Sequence, residues 1–130
     1  MRQLKKILHV EDEDDIRLLT KIVLESIGGF EVESCNSGQA ALEKVREFAP
    51  DLLILDVRMP EMDGPMTLEA LRTLPENAVT PVIFMTAKAQ HQEVQRLLEL
   101  GAIDIISKPY DPQTLSAGIQ TKWNTICHAA

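Results

Sequence analysis

Four short pieces of this 130-residue chain carry side chains suited to acting on one small, highly charged ligand. They are Glu11-Asp12, Asp56, Thr86-Ala87 and Lys108-Pro109. Gathered at one place, they would set three carboxylates beside one hydroxyl and one ammonium. Carboxylates at such close quarters repel one another and would be partly protonated without compensation. A divalent cation removes that cost. No cluster of histidine or cysteine joins them, so the ligands would all be oxygen. That donor set selects a hard ion, Mg2+ first, with Mn2+ or Ca2+ less well suited. Mg2+ held by two or three carboxylates and waters keeps room for a phosphate, and Lys108 and Thr86 would then donate to a phosphoryl oxygen. No glycine-rich phosphate loop is present or needed. An aspartate can itself attack phosphorus and form an aspartyl phosphate. In-line phosphoryl transfer is mostly positioning and charge neutralisation, and Asp56 is the best placed of the three acids.

Whether these pieces meet depends on the elements that carry them. Ile7 to Val10 is a short strand-like run that ends abruptly in acid. Asp14 or Asp15 can cap a helix in which Ile16, Leu19, Ile22, Val23 and Ile27 recur at helical spacing. Gly28-Gly29 stops it. Phe30 to Asn36 reads as a strand with a polar face. Ser37 can cap a second helix with Ala41, Val45 and Phe48 on one side, ended by Pro50. Asp51 to Val57 holds the most apolar strand, which suggests a central position covered on both faces. A loop from Arg58 to Gly64 leads to a third helix that Pro65 opens and that runs to about Leu74. Val82 to Thr86 is a fourth strand. Val94, Leu97 and Leu98 mark a fourth helix closed by Gly101, and Ile103 to Ser107 is a fifth strand. Asp111-Pro112 opens a last helix with Leu115, Ile119, Trp123 and Ile126 on one side.

The unit βα thus repeats five times. Strands separated by helices of this length imply a single five-stranded parallel sheet, doubly wound, of α/β class. In such sheets ligands sit beyond the carboxyl ends of the strands, at a switch in strand order. Glu11-Asp12, Asp56, Thr86 and Lys108 all fall at those ends.

Composition narrows the function. Thirteen Lys plus Arg against twenty Asp plus Glu leave a net charge of −7, which argues against direct nucleic-acid binding. Hydrophobic residues make up 45% and charged residues 25%, ordinary for one soluble domain, here read as residues 1–130 with no output domain. Two cysteines, Cys35 and Cys127, form no disulfide framework or zinc motif. The apolar run near the N-terminus is broken by His9, Glu11 and Asp12, so it is neither a signal peptide nor a membrane span. A cytoplasmic setting is the default expectation.

At this point the chain resembles the receiver domain of two-component response regulators, over about Leu4 to Ile126. The pieces that carry the likeness are Asp51-Leu-Leu-Ile-Leu-Asp-Val-Arg-Met-Pro-Glu-Met-Asp-Gly64, Glu11-Asp12, Val82-Ile-Phe-Met-Thr-Ala87 and Gly101-Ala with Ser-Lys-Pro109. The resemblance implies a flavodoxin-like receiver fold with Asp56 as phosphoacceptor. It implies Asp12, Asp56 and the backbone carbonyl of Arg58 as ligands of Mg2+, with Glu11 reaching the metal through water. Thr86 and Lys108 would contact the phosphoryl group, Ala87 would leave it accessible, and the Lys108–Pro109 bond would be cis. Arg58 and Lys88 hold the positions that tune the lifetime of the acyl phosphate. The donor would be a histidine kinase or histidine phosphotransfer protein. Phosphorylation would switch the face made by the fourth helix, fifth strand and last helix for an unknown downstream protein. A homodimer through that face stays open, since no pattern argues for or against it. Two departures stand out. Glu11 replaces the commoner Asp, and Ile105 stands where the family usually carries Tyr or Phe, which puts the output step in doubt.

Blander readings exist for each piece. Asp56 can be a turn-initiating residue, Glu11-Asp12 part of an acidic helix start, Thr86 a cap, and Lys108-Pro109 an exposed loop. His9 reads as a half-buried strand residue and Trp123 as a core anchor. A haloacid dehalogenase-like phosphatase would need a second Asp two residues after the nucleophile, where Arg58 stands. A flavodoxin-like flavin carrier would meet the acidic run Glu11 to Asp15, which repels a flavin phosphate. A scaffold that has lost phosphorylation is disfavoured by Asp56, Thr86 and Lys108 and kept open by Ile105.

Overall fold

The structure, a computed structural model, describes residues 2–128, the side chain of His128 excepted. Met1, Ala129 and Ala130, which the single-domain reading includes, lie outside the described residues. Along the chain run β1 (Lys6–Val10), α1 (Asp14–Ser26), β2 (Glu31–Cys35), α2 (Gly38–Phe48) and β3 (Leu52–Asp56). There follow α3 (Gly64–Arg72), β4 (Val82–Thr86), α4 (His91–Glu99), β5 (Asp104–Ser107) and α5 (Leu115–His128). All strand pairs are parallel, in the order β2-β1-β3-β4-β5. The strand β3 is therefore central, and each of its five residues is buried. This is the doubly wound α/β sheet that the alternation of runs implies.

Side chains alternate across the sheet, so each strand feeds two cores. Leu53 and Leu55 join Leu8, Val10, Ala41, Val45, Leu68, Leu71, Phe84 and Leu97, beneath α2, α3 and α4. Leu52 and Ile54 join Ile7, Val23, Leu24, Leu115, Ile119 and Trp123, beneath α1 and α5. Trp123 anchors the second core, and its indole N–H donates to the carbonyl of Arg2 at 3.1 Å. At the lower end of the sheet, the Asp51 carboxylate accepts from the backbone N–H of Lys5 and Lys6 and from Arg2. It ties the start of β1 to the start of β3.

Several local expectations change. The helix α1 buries Thr20, Val23 and Leu24, whereas Leu19, Ile22 and Ile27 are 47%, 49% and 52% exposed. Apolar residues lie on almost every side of this helix, so spacing alone does not select the buried face. Thr20 is admitted because its hydroxyl pairs with the Tyr110 hydroxyl at 2.7 Å. The N-cap of α1 is Glu13, without a side-chain bond, and Asp14 and Asp15 sit in the first turn. There they face the positive end of the helix dipole. Ser37 does cap α2, accepting from Ala40 N at 3.1 Å. The helix α3 ends at Arg72 rather than near Leu74, and a 3-10 turn over Pro75–Asn77 follows. A residue before proline is pushed out of helical geometry, which accounts for the break at Leu74. The last helix begins at Leu115, not at Pro112. The backbone carbonyl of Asp111 instead accepts from Thr114 and Leu115 in a preceding turn.

His9 is fully buried, not half-buried, and neither ring nitrogen has a partner. Burial, then the fields of Lys108 and Arg17, lower its pKa from 6.5 to about 3. The neutral ring is thus the folded form. Cys35 is also buried, and burial pushes its thiol up to about 11, which makes it unreactive.

Gly64 opens α3 directly behind the end of β3. A Cβ placed there would lie 2.5 Å from the Asp56 carbonyl oxygen and 3.0 Å from Val57 Cα. Both neighbours are backbone and cannot turn aside. Gly64→Ala should therefore lower stability by about 1–3 kcal/mol, seen as a lower urea midpoint at unchanged slope. His9 makes a pH prediction. Its folded pKa lies below its unfolded value. As pH falls from about 6.5 towards 3, the unfolded chain takes up a proton that the folded chain refuses, and stability drops. Unfolding curves of His9→Leu and wild type should diverge through that window, with the variant losing less. At pH 7 the variant should be as stable as wild type or more so, since no hydrogen bond is lost.

Candidate functional site

Strand order reverses between β1 and β3, because β2 lies on one side of β1 while β3 to β5 lie on the other. The crevice beyond their carboxyl ends is where an open α/β sheet binds ligands. Register brings the candidate residues there. Val10 pairs with Leu55, so Glu11-Asp12 leaves β1 beside Asp56. Asp56 pairs with Met85, and Val57 N donates to the Met85 carbonyl at 2.9 Å. Thr86 pairs with Ser107, and Lys108 N donates to the Thr86 carbonyl at 2.8 Å. Asp56 and Thr86 thus stand in the ladder, and Glu11, Asp12 and Lys108 lie one or two residues beyond it, which leaves their backbones little freedom.

At the centre stands Lys108. Its Nζ lies 2.9 Å from Glu11 Oε1 and 2.9 Å from Asp56 Oδ1. Both carboxylates are almost wholly removed from solvent, Glu11 at 0% and Asp56 at 4% exposure. Oxygens of Glu11, Asp12 and Asp56 all lie within 4.8 Å of one another. Three carboxylates against one ammonium leave a formal excess of two negative charges. The pKa shifts of the acids follow first from burial and then from that excess. Burial raises the pKa of Glu11, aided by the nearby Asp56 charge, and the Lys108 hydrogen bond only partly offsets this. Burial likewise raises that of Asp56, with Asp12 adding to the effect and Lys108 opposing it. For Lys108 burial works against the charge, yet the bonds and fields of Glu11 and Asp56 outweigh it and its pKa rises. Lys108 is held as a cation, and the acid group stays under-compensated.

Glu11 is further held from its own loop. Its Oε2 accepts from Glu13 N at 3.2 Å, and its backbone carbonyl accepts from Arg17 Nη1 at 3.0 Å. Asp12 is half-buried. The bond between Lys108 and Pro109 is cis. Ala87 and Lys88 are exposed at the end of β4, and Arg58 is exposed after β3.

Thr86 is buried, and its hydroxyl is engaged away from the acid group. It accepts from Lys88 N at 3.1 Å and donates to Glu93 Oε1 at 3.3 Å. The other oxygen of the same carboxylate, Glu93 Oε2, lies 2.8 Å from Arg58 Nη2. Ile105 is half-buried and packs on the core that contains Phe84 and Leu97. The structure therefore brings Glu11, Asp12, Asp56 and Lys108 into one group, and sets Thr86 and Arg58 in a second group around Glu93. Sequence reasoning missed Glu93 and Tyr110. Only the position of Glu93 in the first turn after strand β4 could have drawn notice. Tyr110 carried no such signal, as its partner Thr20 is 90 residues away.

Comparison with known proteins gives these residues a context. The family model described as response regulator receiver domain matches residues 7–120. The regulatory protein AtoC of Escherichia coli (strain K12) is 37% identical over 120 residues, covering 92% of this chain and 25% of that protein. The alkaline phosphatase synthesis transcriptional regulatory protein PhoP of Bacillus subtilis (strain 168) is 36% identical over 116 residues, covering 89% of this chain and 47% of that protein. This chain thus spans a quarter to about half the length of these curated relatives. Among solved structures, the chemotaxis protein CheY4 of Vibrio cholerae superposes with a TM-score of 0.84 at 31% identity, over 92% of this chain and 98% of that one. The matched stretch runs from β1 into α5 and takes in every strand end that builds the acid group, so the chain belongs to the response regulator receiver domains of two-component signalling.

Proposed function

We propose that residues 1–130 act as a phosphoacceptor switch, not as an enzyme with a separate substrate, and that Asp56 carries the phosphoryl group. The observation that carries this reading is the placement of Asp56. It ends the central strand between the acid pair that follows β1 and the half-buried ammonium of Lys108, which lies 2.9 Å from its Oδ1. The donor is a phosphohistidine of a histidine kinase or histidine phosphotransfer protein. An Asp56 carboxylate oxygen attacks phosphorus, the P–N bond breaks as the new P–O bond forms, and the imidazole leaves and is protonated. Lys108 stays positively charged and faces the phosphoryl oxygens throughout. Ala87, small and exposed, leaves the acid group open to the donor. Exposed Arg58 and Lys88 flank it and set how readily water reaches the acyl phosphate.

The donor set fits a hard divalent ion. It is all oxygen, and its formal excess of two negative charges is one such ion's worth. Asp12, Asp56 and the Arg58 carbonyl would hold Mg2+, with Mn2+ as a substitute. Both oxygens of Glu11 already accept from Lys108 and Glu13 N, which favours contact through water for this residue. When bound, the ion neutralises charge on the transferring group. The α4–β5–α5 face would pass the change to a downstream protein. No helix among the described residues is long and apolar enough to cross a membrane, and a cytoplasmic location is part of the same proposal.

Incubation with Mg2+ and a small phosphodonor should add about 80 Da, one phosphoryl group, to the intact mass. The adduct should disappear with EDTA and in Asp56→Asn. A wild type left unlabelled, or an Asp56→Asn variant still labelled, would sink the reading. A second expectation concerns stability. Asp56→Asn removes one charge from an over-acidic group, so in metal-free buffer at pH 7 it should raise stability by about 1–2 kcal/mol. Added Mg2+ should stabilise the wild type and leave the variant nearly unmoved, as read from thermal midpoints.

A further inference from the structure

We propose that Glu93 is the positioning residue that couples Asp56 to α4, because its one carboxylate bridges the Thr86 hydroxyl and the Arg58 guanidinium. This rests on the phosphoacceptor reading of Asp56. The first observation is the bridge, with Oε1 3.3 Å from Thr86 Oγ1 and Oε2 2.8 Å from Arg58 Nη2. The second is how little else holds this helix. Leu97 is its only buried side chain, and its N-cap Gln90 makes no side-chain bond. The third is room to move. A cleft of about 410 Å3, lined in part by Arg58, Met59, Glu93 and Arg96, lies beside the bridge.

Phosphorylation would attack both ends of the bridge at once. A phosphoryl group on Asp56 offers strong acceptors to the Thr86 hydroxyl, whose bond to Glu93 is long and easily exchanged. Its negative charge also competes for the Arg58 guanidinium, which prefers phosphate and carboxylate in the same forked geometry. Glu93 cannot follow either group toward the phosphoryl oxygens, because like charges repel. It loses both partners, and the first turn of α4 is released. This path needs no inward-turning aromatic at position 105, where Ile105 stands packed in the same core as Leu97.

The test is hydrogen exchange over residues 91–99, with Mg2+ and beryllofluoride as the phosphoryl mimic and 19F NMR to verify the adduct. In the wild type the adduct should speed exchange in the first turns of α4 about tenfold, the loss expected for a charge-assisted bond. Glu93→Ala should already show that fast exchange without the mimic and gain little on adding it. Glu93→Gln keeps an acceptor for Thr86, so it should restore slow basal exchange and part of the response, which a merely structural loss would not. A verified wild-type adduct with unchanged α4 exchange overturns this inference alone. So does a Glu93→Ala response equal to wild type. Failure to form the adduct at all overturns the phosphoacceptor reading, and this one with it.

Discussion

The protein is organised around a single ammonium group that cannot satisfy its surroundings. Lys108 reaches two buried carboxylates, and a third lies close by, so the rim of the sheet keeps an excess of negative charge. Left to itself such a group would spread apart or take up protons. It does neither freely, because each acid ends or follows a strand buried in the apolar sheet, whose ladder bonds fix its backbone. The hydrophobic effect over β1, β3 and β4 thus supplies the energy that holds like charges together. That stored repulsion is what the proposed divalent cation would relieve.

A second polar group lies one strand further on, around Glu93. Glu93 belongs to a helix that contributes one buried side chain, whereas α2 and α3 contribute several. Thinly packed elements are where a structure can open at small cost. The tie between this helix and the strand ends is polar, and polar ties respond to changes of charge nearby. Ile105 packs on the same core as Leu97, so the contacts behind this helix are apolar while its tie to the strand ends is polar.

The exposed apolar residues of α1 form a different kind of feature. Leu19, Ile22 and Ile27 are spaced like core residues and are not in the core. Their place was taken by Thr20, a polar residue made acceptable by the Tyr110 hydroxyl. Burial here was decided by a hydrogen bond between residues far apart in the chain, not by hydropathy.

Strand and helix types were legible in the chain, because each short apolar run is bracketed by Gly, Pro or an acid, and the most apolar run, Leu52 to Leu55, could only be central. The strand-end positions of the acids, Thr86 and Lys108 were legible too, since they end those runs, and a parallel sheet brings such ends to one rim. Local spacing carries that information by itself. The face of α1 that packs inward, the complete burial of His9, and the division of polar groups into one centred on Lys108 and another on Glu93 came only with tertiary structure. Each depends on which side chains from distant segments share a cavity. Spacing along one helix or strand says nothing of what stands opposite.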